Sequence, residues 1–409
     1  MLVVRTVRVD DPGDLIEWLE PLNPTAFLRN GDGIVGFGER TGFVAHQRTD
    51  RIPALAEWWR ELSAAATIDD EVKLPGTGLV AFGSLAFSDS SAEASVMSVP
   101  VVVVGRRNGV SWITTIDGWM PVSPTPLGPE LADQLGPGSH SPLVPGTMSP
   151  EAYRDAVAAV TRKIAAGEAR KVVLARDLVG SIPTMSDRRR VISRLAAAYP
   201  DTFTFAVNGL VGSSPETLVR VEDGDVSARV LAGTARRWPD DATDAHAAST
   251  LAASPKNRAE HEHAVQSVLE TMAPHTTGIT HNPEPFPLRL PNLWHLATDV
   301  RADLVPGRTV LDLLEALHPT AAVAGTPTDA AIALIAKHEP FDRGRYAGPV
   351  GWVDADGDGE WAIALRCARI AEDGSVTAWA GAGIVADSDP EKELAETELK
   401  FRPIRDALA

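Results

Sequence analysis

The C-terminal stretch WAGAGIVADSDPEKELAETELKFRPIRDAL joins a glycine-rich segment to a helix-forming one, and it constrains the fold more than any other part of the chain. Residues 381–383 (Gly-Ala-Gly) predict a tight turn that leaves main-chain N–H groups able to bind an anion. Ser388 and Glu391 have the S-x-x-E spacing of a capping box, and Pro390 suits a first helical turn. The sequence therefore predicts a glycine turn followed by a helix that begins at Ser388.

Three charged residues of this helix share one face. Glu393, Glu396 and Lys400 are spaced i, i+3 and i+7, which brings two carboxylates and an ammonium together. With the glycine turn, this set suits a small anionic ligand bound together with a hard cation. The same spacing is also typical of a solvated, salt-bridged surface helix, so the helix alone leaves both interpretations open.

The charge and cysteine content exclude several classes of function. A chain of 409 residues with a formal net charge of −17 lacks the basic surface that nucleic acids require. An anionic substrate would therefore have to be attracted by a local basic patch. Cys367 is the only cysteine, so the chain can form neither an intrachain disulfide nor a cysteine-based zinc site.

The N-terminal sequence MLVVRTVRVDD carries charges within its first ten residues and has no apolar core of a signal peptide. The longest apolar run, near SVPVVVVG, is strand-sized and too short to cross a membrane. We therefore predict a cytoplasmic protein without membrane segments. An isolated monomer is compatible with the sequence.

The chain divides into three parts by composition. Residues 1–120 predict a β-rich part with two helices, and residues 121–150 are a connection dense in proline and glycine. Residues 150–405 contain the candidate site residues, and we expect the whole chain, 1–409, to form one α+β domain.

Three local motifs are excluded by their context. Residues 31–36 (GDGIVG) match G-x-G-x-x-G but precede a strand, so they do not predict a dinucleotide site. Residues 354–359 (DADGDG) begin like an EF-hand, but the twelfth position is Leu365, so a hairpin turn is expected. His261 and His263 diverge around one helix, which excludes the zinc-protease motif.

Two residues are candidates for proton transfer. Lys171 begins the strand KVVLARDLV and shares a face with Val173 and Ala175, so it can point inward, where desolvation lowers a lysine pKa. A lysine at the exposed start of a strand is the alternative. Glu216 follows Pro215 at the start of another strand, within an otherwise uncharged segment.

Further candidates suit anion or cation binding. Gly233 and Thr234, in LAGTARR, predict another glycine turn, with N–H and hydroxyl donors for an oxyanion. Glu260 continues the apolar stripe of a helix, so its carboxylate needs a partner or a cation. Arg366 lies on a predicted strand within AIALRCA, where an arginine requires an anionic partner.

Nine collinear stretches together resemble the chorismate-utilising enzymes: anthranilate synthase component I, aminodeoxychorismate synthase component I, isochorismate synthase and salicylate synthase. The matching stretches are KVVLAR, GSSPETLVR, LAGTARR, KNRAEHEHAV, HLATDVRADL, LHPTAAVAGTP, FDRGRYAGPVGW, ALRCA and AGAGIVADSDPEKELAETELK. They span about residues 150–405, whereas the first 120 residues resemble the family only loosely.

The resemblance implies a single large α+β domain, like that of anthranilate synthase component I, with two big antiparallel sheets, helices packed outside and the site between the sheets. It also implies chorismate as substrate and Mg²⁺ as cofactor. The family's magnesium carboxylates fall on Glu260 and Glu396, with Glu393 as a water-mediated partner. Chorismate contacts fall on Gly233, Thr234, Tyr346, Arg366, Gly381, Ala382, Gly383 and Lys400.

Two positions distinguish the members. Amine-adding enzymes carry glutamine at the position of Lys171, and aminodeoxychorismate synthases carry lysine at the position of Ala232. This chain therefore resembles the water-adding members, and its LHPTAAVAGTP loop resembles that of the isochorismate synthases. In such an enzyme Lys171 would be the general base and Glu216 the general acid, and the product would feed menaquinone or siderophore synthesis. A salicylate synthase and a non-catalytic chorismate-binding protein are the alternatives.

Overall fold

The computed structural model describes residues 1–47, 49–118, 141–289 and 293–409; the side chains of Thr234 and Glu260 lie outside that description. The described strands form two large sheets. The first has the strand order β10 (Ser141–Pro145), β11 (Lys171–Ser181), β23 (Ser375–Ile384), β22 (Cys367–Ile370), β13 (Leu210–Ser214), β12 (Phe203–Val207), β2 (Thr25–Arg29), β3 (Asp32–Phe37), β8 (Val102–Arg107), β9 (Val110–Ile116), β1 (Val3–Val9) and β5 (Thr67–Asp70), with β19 (Gly325–Thr326) paired to β11.

The second sheet faces the first across the main hydrophobic core. Its strand order is β16 (Thr276–His281), β18 (Leu293–Leu304), β15 (Asp225–Arg236), β14 (Thr217–Glu222), β21 (Gly359–Ile363), β20 (Pro349–Asp354), β6 (Val80–Ser84), β7 (Ser95–Val99) and β4 (Thr41–Ala45), with β17 (Phe286–Arg289) paired to β18.

Helices pack against both sheets. They are α1 (Arg51–Ala64), α2 (Pro150–Ala165), α3 (Arg189–Ala198), α4 (Asp241–Ala253), α5 (Pro255–Met272), α6 (Val310–Leu317), α7 (Thr328–His338) and α8 (Pro390–Leu408), and a short 3₁₀-helix covers Leu15–Trp18. Helices α3 and α8 bury residues such as Ile192 and Phe401 in a second core on the first sheet. Helix α5 packs on β15 and β18.

The predicted fold class is confirmed: the protein is α+β, with two large sheets and helices packed against them. Among the described strands, neighbours are antiparallel except β1 and β5, which are parallel. Antiparallel neighbours need no helical crossover, so the chain can pass repeatedly from one sheet to the other through short loops. In the part that the structure describes, no helix is long and apolar enough to cross a membrane.

The N-terminal part contributes strands to both sheets. The strand-sized apolar run near SVPVVVVG is divided between two strands, β7 in the second sheet and β8 in the first. The chain changes sheets at Pro100, which lacks an N–H for a continuous ladder. Of the predicted connection 121–150, residues up to 140 lie outside the described residues. Its end forms β10, an edge strand on β11 that tolerates Pro142 and Pro145.

Candidate active site

Two crossovers between the sheets build the centre of the site. The chain leaves β13 in the first sheet, passes Glu216 and enters β14 in the second. It returns from β21 to β22 through Arg366, which has a left-handed φ of 49° rather than the expected strand conformation. Ile363 N donates to Glu216 O at 3.0 Å, and Ser213 N donates to Arg366 O at 3.2 Å. These bonds hold the two crossovers side by side, and a strained arginine of this kind is typical of functional sites.

A cavity of about 530 Å³ opens beside these crossovers, between the two sheets. Its lining includes most of the predicted site residues: Lys171, Glu216, Gly233, Tyr346, Arg366, Gly381, Gly383, Glu393, Glu396 and Lys400. The strands and the helix that carry them come from both ends of residues 150–405, the part of the sequence that contains the candidate site residues. The structure thus brings together groups that are up to 229 residues apart, from Lys171 to Lys400.

Glu216 lies in a setting that favours its protonated form. Burial raises the pKa of the Glu216 carboxyl, and the positive charges of Lys171, Lys400 and Arg366 oppose this shift. The direction is the one that a general acid requires, since an ionised carboxylate has no proton to donate. Lys171, the first residue of β11, is half-buried and faces the same cavity.

The predicted turn at residues 381–383 is wrong, because these residues belong to β23 and pair with β11. Gly381 lies opposite Ala175, and Gly383 lies opposite Val173. Val173 N donates to Ala324 O, and Ala175 N donates to the carboxylate of Glu339. Both N–H groups therefore point away from β23.

In an antiparallel pair, opposed residues either exchange both hydrogen bonds or exchange none. The N–H and C=O groups of Gly381 and Gly383 therefore also point away from β11, toward the cavity side. Gly381 O accepts a hydrogen bond from Lys400 Nζ at 2.8 Å. The sequence predicted that the main-chain N–H groups here would be able to bind an anion. In the structure they belong to a strand and not to a turn.

Ala382 differs from its two neighbours. Its side chain is fully buried in the core between the sheets, and the residue is absent from the described lining of the cavity. Alternation along a strand explains this, because successive side chains point to opposite faces. The structure does not bring Ala382 to the cavity as a substrate contact.

Helix α8 presents its charged face to the cavity, as the spacing predicted. Glu393, Glu396 and Lys400 all line it, and Lys400 Nζ lies 2.7 Å from Glu396 Oε1. The cap is one residue later than expected: Asp389 accepts hydrogen bonds from two N–H groups of the first turn, while Ser388 accepts one from the loop. Both residues are good caps, but only Asp389 directly precedes the proline at the first helical position.

Gly233 occupies a bulge instead of the predicted turn. Strand β15 continues to Arg236, and its register with β18 shifts between Ala232 and Thr234. Gly233 has a φ of +79°, which favours glycine and opens the strand toward the cavity. The Thr234 side chain lies outside the described residues, so its predicted contact stays a prediction.

Tyr346 and Arg366 form a second polar region of the wall. The Tyr346 ring stacks on Trp379, with centroids 5.9 Å apart and an interplanar angle of 15°. Burial raises the pKa of the Tyr346 hydroxyl, so it stays a neutral donor. Arg366, Lys171 and Lys400 together make the local basic patch that an anionic substrate of this acidic protein requires.

Comparison with known proteins agrees with this architecture. The family described as chorismate binding enzyme matches residues 133–409. The chain belongs to the chorismate-binding enzyme family. Isochorismate synthase DhbC of Bacillus subtilis is 37% identical over 291 residues, which cover 68% of this chain and 72% of that protein. Isochorismate synthase MenF of the same species is 28% identical over 404 residues, or 92% of this chain and 85% of that protein.

A solved structure extends this similarity to the whole fold. The menaquinone-specific isochorismate synthase MenF from Escherichia coli matches with a TM-score of 0.80 and 27% sequence identity. The match covers 100% of this chain and 95% of that chain. The family resemblance inferred from the nine sequence stretches is therefore confirmed.

The carboxylates of this chorismate-binding enzyme fit a hard divalent cation. Glu393 and Glu396 face one cavity, and burial together with the Glu396 charge raises the pKa of Glu393, against a hydrogen bond from Ser388. A bound cation would relieve this repulsion, and oxygen ligands are those that Mg²⁺ prefers. Among the described side chains no group of three metal-binding residues is assembled. Glu260, on α5, would be the third carboxylate, and its side chain lies outside that set.

His295 is a cavity residue that the sequence analysis missed. It lies on β18, and its imidazole is hydrogen-bonded to the main chain of Gly233 at the bulge. Burial lowers the pKa of His295 to about 4, and the charges of Lys171 and Lys400 act in the same direction. The ring is therefore neutral at physiological pH. The signal in the sequence was a histidine directly before the apolar residues Leu296 and Ala297 of a predicted strand.

Proposed function

We propose that this chain is an isochorismate synthase, which converts chorismate to isochorismate by adding water at C2 and releasing the hydroxyl from C4. The observation that supports the proposal is that Lys171 and Glu216, the proposed base and acid, line one cavity with Tyr346, Arg366 and Lys400. A protein that only bound chorismate would need the anion-binding groups but no acid–base pair. The relatives named above are themselves isochorismate synthases.

Lys171 and Glu216 each carry out one of the two proton transfers. Lys171, in its neutral form, takes a proton from the attacking water, and the double bonds of the ring shift as the new C–O bond forms. Glu216, kept protonated by burial, gives its proton to the departing hydroxyl, which leaves as water. Water is therefore consumed at C2 and produced at C4, and the overall reaction is an isomerisation.

The remaining polar groups position the substrate. Arg366 and Tyr346 bind the carboxylate of the enolpyruvyl side chain, since a guanidinium and a neutral hydroxyl can both donate to it. The N–H groups of Gly381 and Gly383 point away from β11 and can add donors on the same side. Fixing the carboxylates holds C2 and C4 relative to the acid and the base, which is the main contribution of binding to rate.

Glu396 and Glu260 are the proposed ligands of Mg²⁺, with Glu393 linked to the ion through water. When bound, Mg²⁺ would neutralise and hold the ring carboxylate of chorismate. Lys400 pairs with Glu396 and with Gly381 O, so it ties the ligand-bearing helix to β23. We keep a cytoplasmic location and a monomeric state as predictions, and menaquinone or siderophore synthesis as the destination of the product.

Incubation of the purified protein with chorismate and Mg²⁺, followed by chromatography of the products, tests this function. We expect isochorismate without pyruvate, and no product after a chelator is added. Salicylate with pyruvate, detected with lactate dehydrogenase, would instead indicate a salicylate synthase. Unconsumed chorismate that nevertheless binds would indicate a non-catalytic binding protein.

A further inference from the structure

The strand that begins with Lys171 has an interrupted neighbour on one edge. On the edge that faces away from β23, strand β11 pairs first with β19, at Lys171 and Val172. Its next partner on that edge is β10, from Leu178 onward. Between these contacts Val173 N bonds to Ala324 O, directly before β19, whereas Val173 O and Ala175 N face no strand among the described residues. Buried groups of this kind need partners, because an unsatisfied main-chain donor or acceptor is costly.

A buried ion pair fills this gap. Glu339 Oε1 accepts a hydrogen bond from Ala175 N at 2.8 Å, and Arg343 Nη2 donates to Val173 O at 2.8 Å. The two side chains bind each other through both carboxylate oxygens, at 2.6 and 2.8 Å. Arg343 is 4% exposed and Glu339 is 7% exposed. The pair thus satisfies the edge of β11 as a neighbouring strand would.

Arg343 also contacts two other parts of the cavity wall. Its Nη1 donates to Val323 O at 2.9 Å, and its guanidinium lies 4.4 Å from the ring centroid of Phe87 and 5.9 Å from that of Tyr346. Val173, Val323 and Tyr346 line the cavity, whereas Arg343 and Glu339 are absent from its described lining. One buried guanidinium therefore connects the strand of Lys171, the loop before β19 and the tyrosine.

We propose that Glu339 and Arg343 are a positioning pair that fixes Lys171 and Tyr346 relative to each other across the cavity. This inference rests on the proposed function, since it assigns the pair to the chemistry of that site. A buried ion pair is weak evidence for stability, because desolvation offsets much of its attraction. Its value here is geometric, since the planar guanidinium binds three acceptors that belong to separate segments.

Arg343→Lys and Glu339→Gln test the proposal, with Arg345→Lys as the matched control. A lysine at position 343 keeps the charge but cannot reach Val173 O, Val323 O and Glu339 together. Glu339→Gln is the milder change, because the amide oxygen can still accept from Ala175 N. Arg345 is also 4% exposed and bonded to a carboxylate, that of Glu93. Its acceptors, Glu93 and Asn208 O, are absent from the described lining of the cavity, whereas Arg343 binds Val173 O and Val323 O, which belong to lining residues.

Each variant is compared at a temperature below its measured thermal midpoint. We expect kcat to fall about 10- to 100-fold in both test variants with KM changed far less, and to stay within about twofold in the control. Competitive acylation of Lys171, mapped by mass spectrometry across pH, should shift its midpoint in the test variants only. Unchanged kcat and unchanged Lys171 reactivity in folded Glu339→Gln would show that the pair only supports the fold.

The acylation measurement separates the two proposals. If the wild type does not convert chorismate, the proposed function fails, and the Lys171 reactivity of the variants still decides whether the pair positions this lysine. If the wild type is active and the test variants match it in both readouts, the positioning role fails and the function stands.

Discussion

A Cβ atom on Gly383 would lie 3.0 Å from Cε and 3.8 Å from Nζ of Lys171, so a missing side chain on β23 makes room for the candidate base on β11. A Cβ on Gly381 would lie 2.9 Å from the main-chain oxygen of Leu174 and 3.2 Å from the Tyr346 hydroxyl. The glycines of this strand are therefore required for space beside functional groups. Neither has the positive φ of a turn glycine.

Gly383→Ala should displace the Lys171 side chain without unfolding the protein. The contact is with the far end of a flexible side chain, so we expect a small change in thermal midpoint. Moving the base by a few tenths of an ångström should lower kcat about 10- to 100-fold. Steady-state kinetics with chorismate measures this, and a kcat equal to that of the wild type would show that Lys171 is not the base or is not held by this contact.

Lys171→Ala and Glu216→Gln should each remove one proton-transfer step. A general acid or base contributes about 10²–10⁴-fold to rate, so kcat should fall by that amount while KM changes modestly. Because the two residues act on different protons, each variant should be impaired alone. Chorismate binding, measured by calorimetry, is the control that shows an intact site. Retained turnover in either variant would remove that residue from its role.

Glu396→Gln should weaken the response to Mg²⁺. The change removes one proposed ligand charge, so the Mg²⁺ concentration for half-maximal activity should rise about tenfold or more. Glu391→Gln is the matched control, since Glu391 lies on the same helix, pairs with Arg154 on the surface and is absent from the described cavity lining. An equal Mg²⁺ requirement in both variants would contradict the assignment of Glu396.

Acid should destabilise the protein through a buried histidine of the loop after α6. Burial lowers the pKa of His318 to about 4 from an ordinary value near 6.5, despite a hydrogen bond to Phe87 O at 2.9 Å. The unfolded chain therefore binds more protons between these values, and stability falls as the pH falls through that window. The loss between pH 7 and pH 5 should be about 2 kcal/mol for this group.

His318→Gln tests that contribution, because the glutamine amide can donate to Phe87 O from near the position of Nε2 but does not titrate. Denaturant unfolding at pH 7 and pH 5 should show a smaller loss of stability in the variant than in the wild type. Other buried groups titrate equally in both proteins, so their effects cancel in the comparison. An identical loss in both would mean that His318 takes up its proton without opposing the fold.

The elements that the sequence predicted correctly are those with a clear local pattern of residues. The charged face of α8 follows from helical spacing, and the strand of Lys171 follows from its run of β-branched residues. The hairpin between β20 and β21, expected in place of an EF-hand, is confirmed by the pairing of Val353 with Gly359.

Features that depend on distant parts of the chain were not visible in the sequence. A glycine that makes room for Lys171 has the same local signature as a turn glycine, which explains the error at residues 381–383. Arg366 lies at a crossover and has a left-handed φ, and it is bonded to a segment 153 residues away (366 − 213) through Ser213 N. His295 was missed because its role depends on the bulge at Gly233 on a neighbouring strand.

The most direct test of the central claim is the source of the new oxygen. The protein is incubated with chorismate and Mg²⁺ in [¹⁸O]water, and the isochorismate is analysed by mass spectrometry. If Lys171 activates water for attack at C2 while Glu216 releases the C4 hydroxyl, the product carries the heavy oxygen at C2. Isochorismate without the label would mean that the hydroxyl migrates within the substrate, which would contradict the assigned roles of both residues.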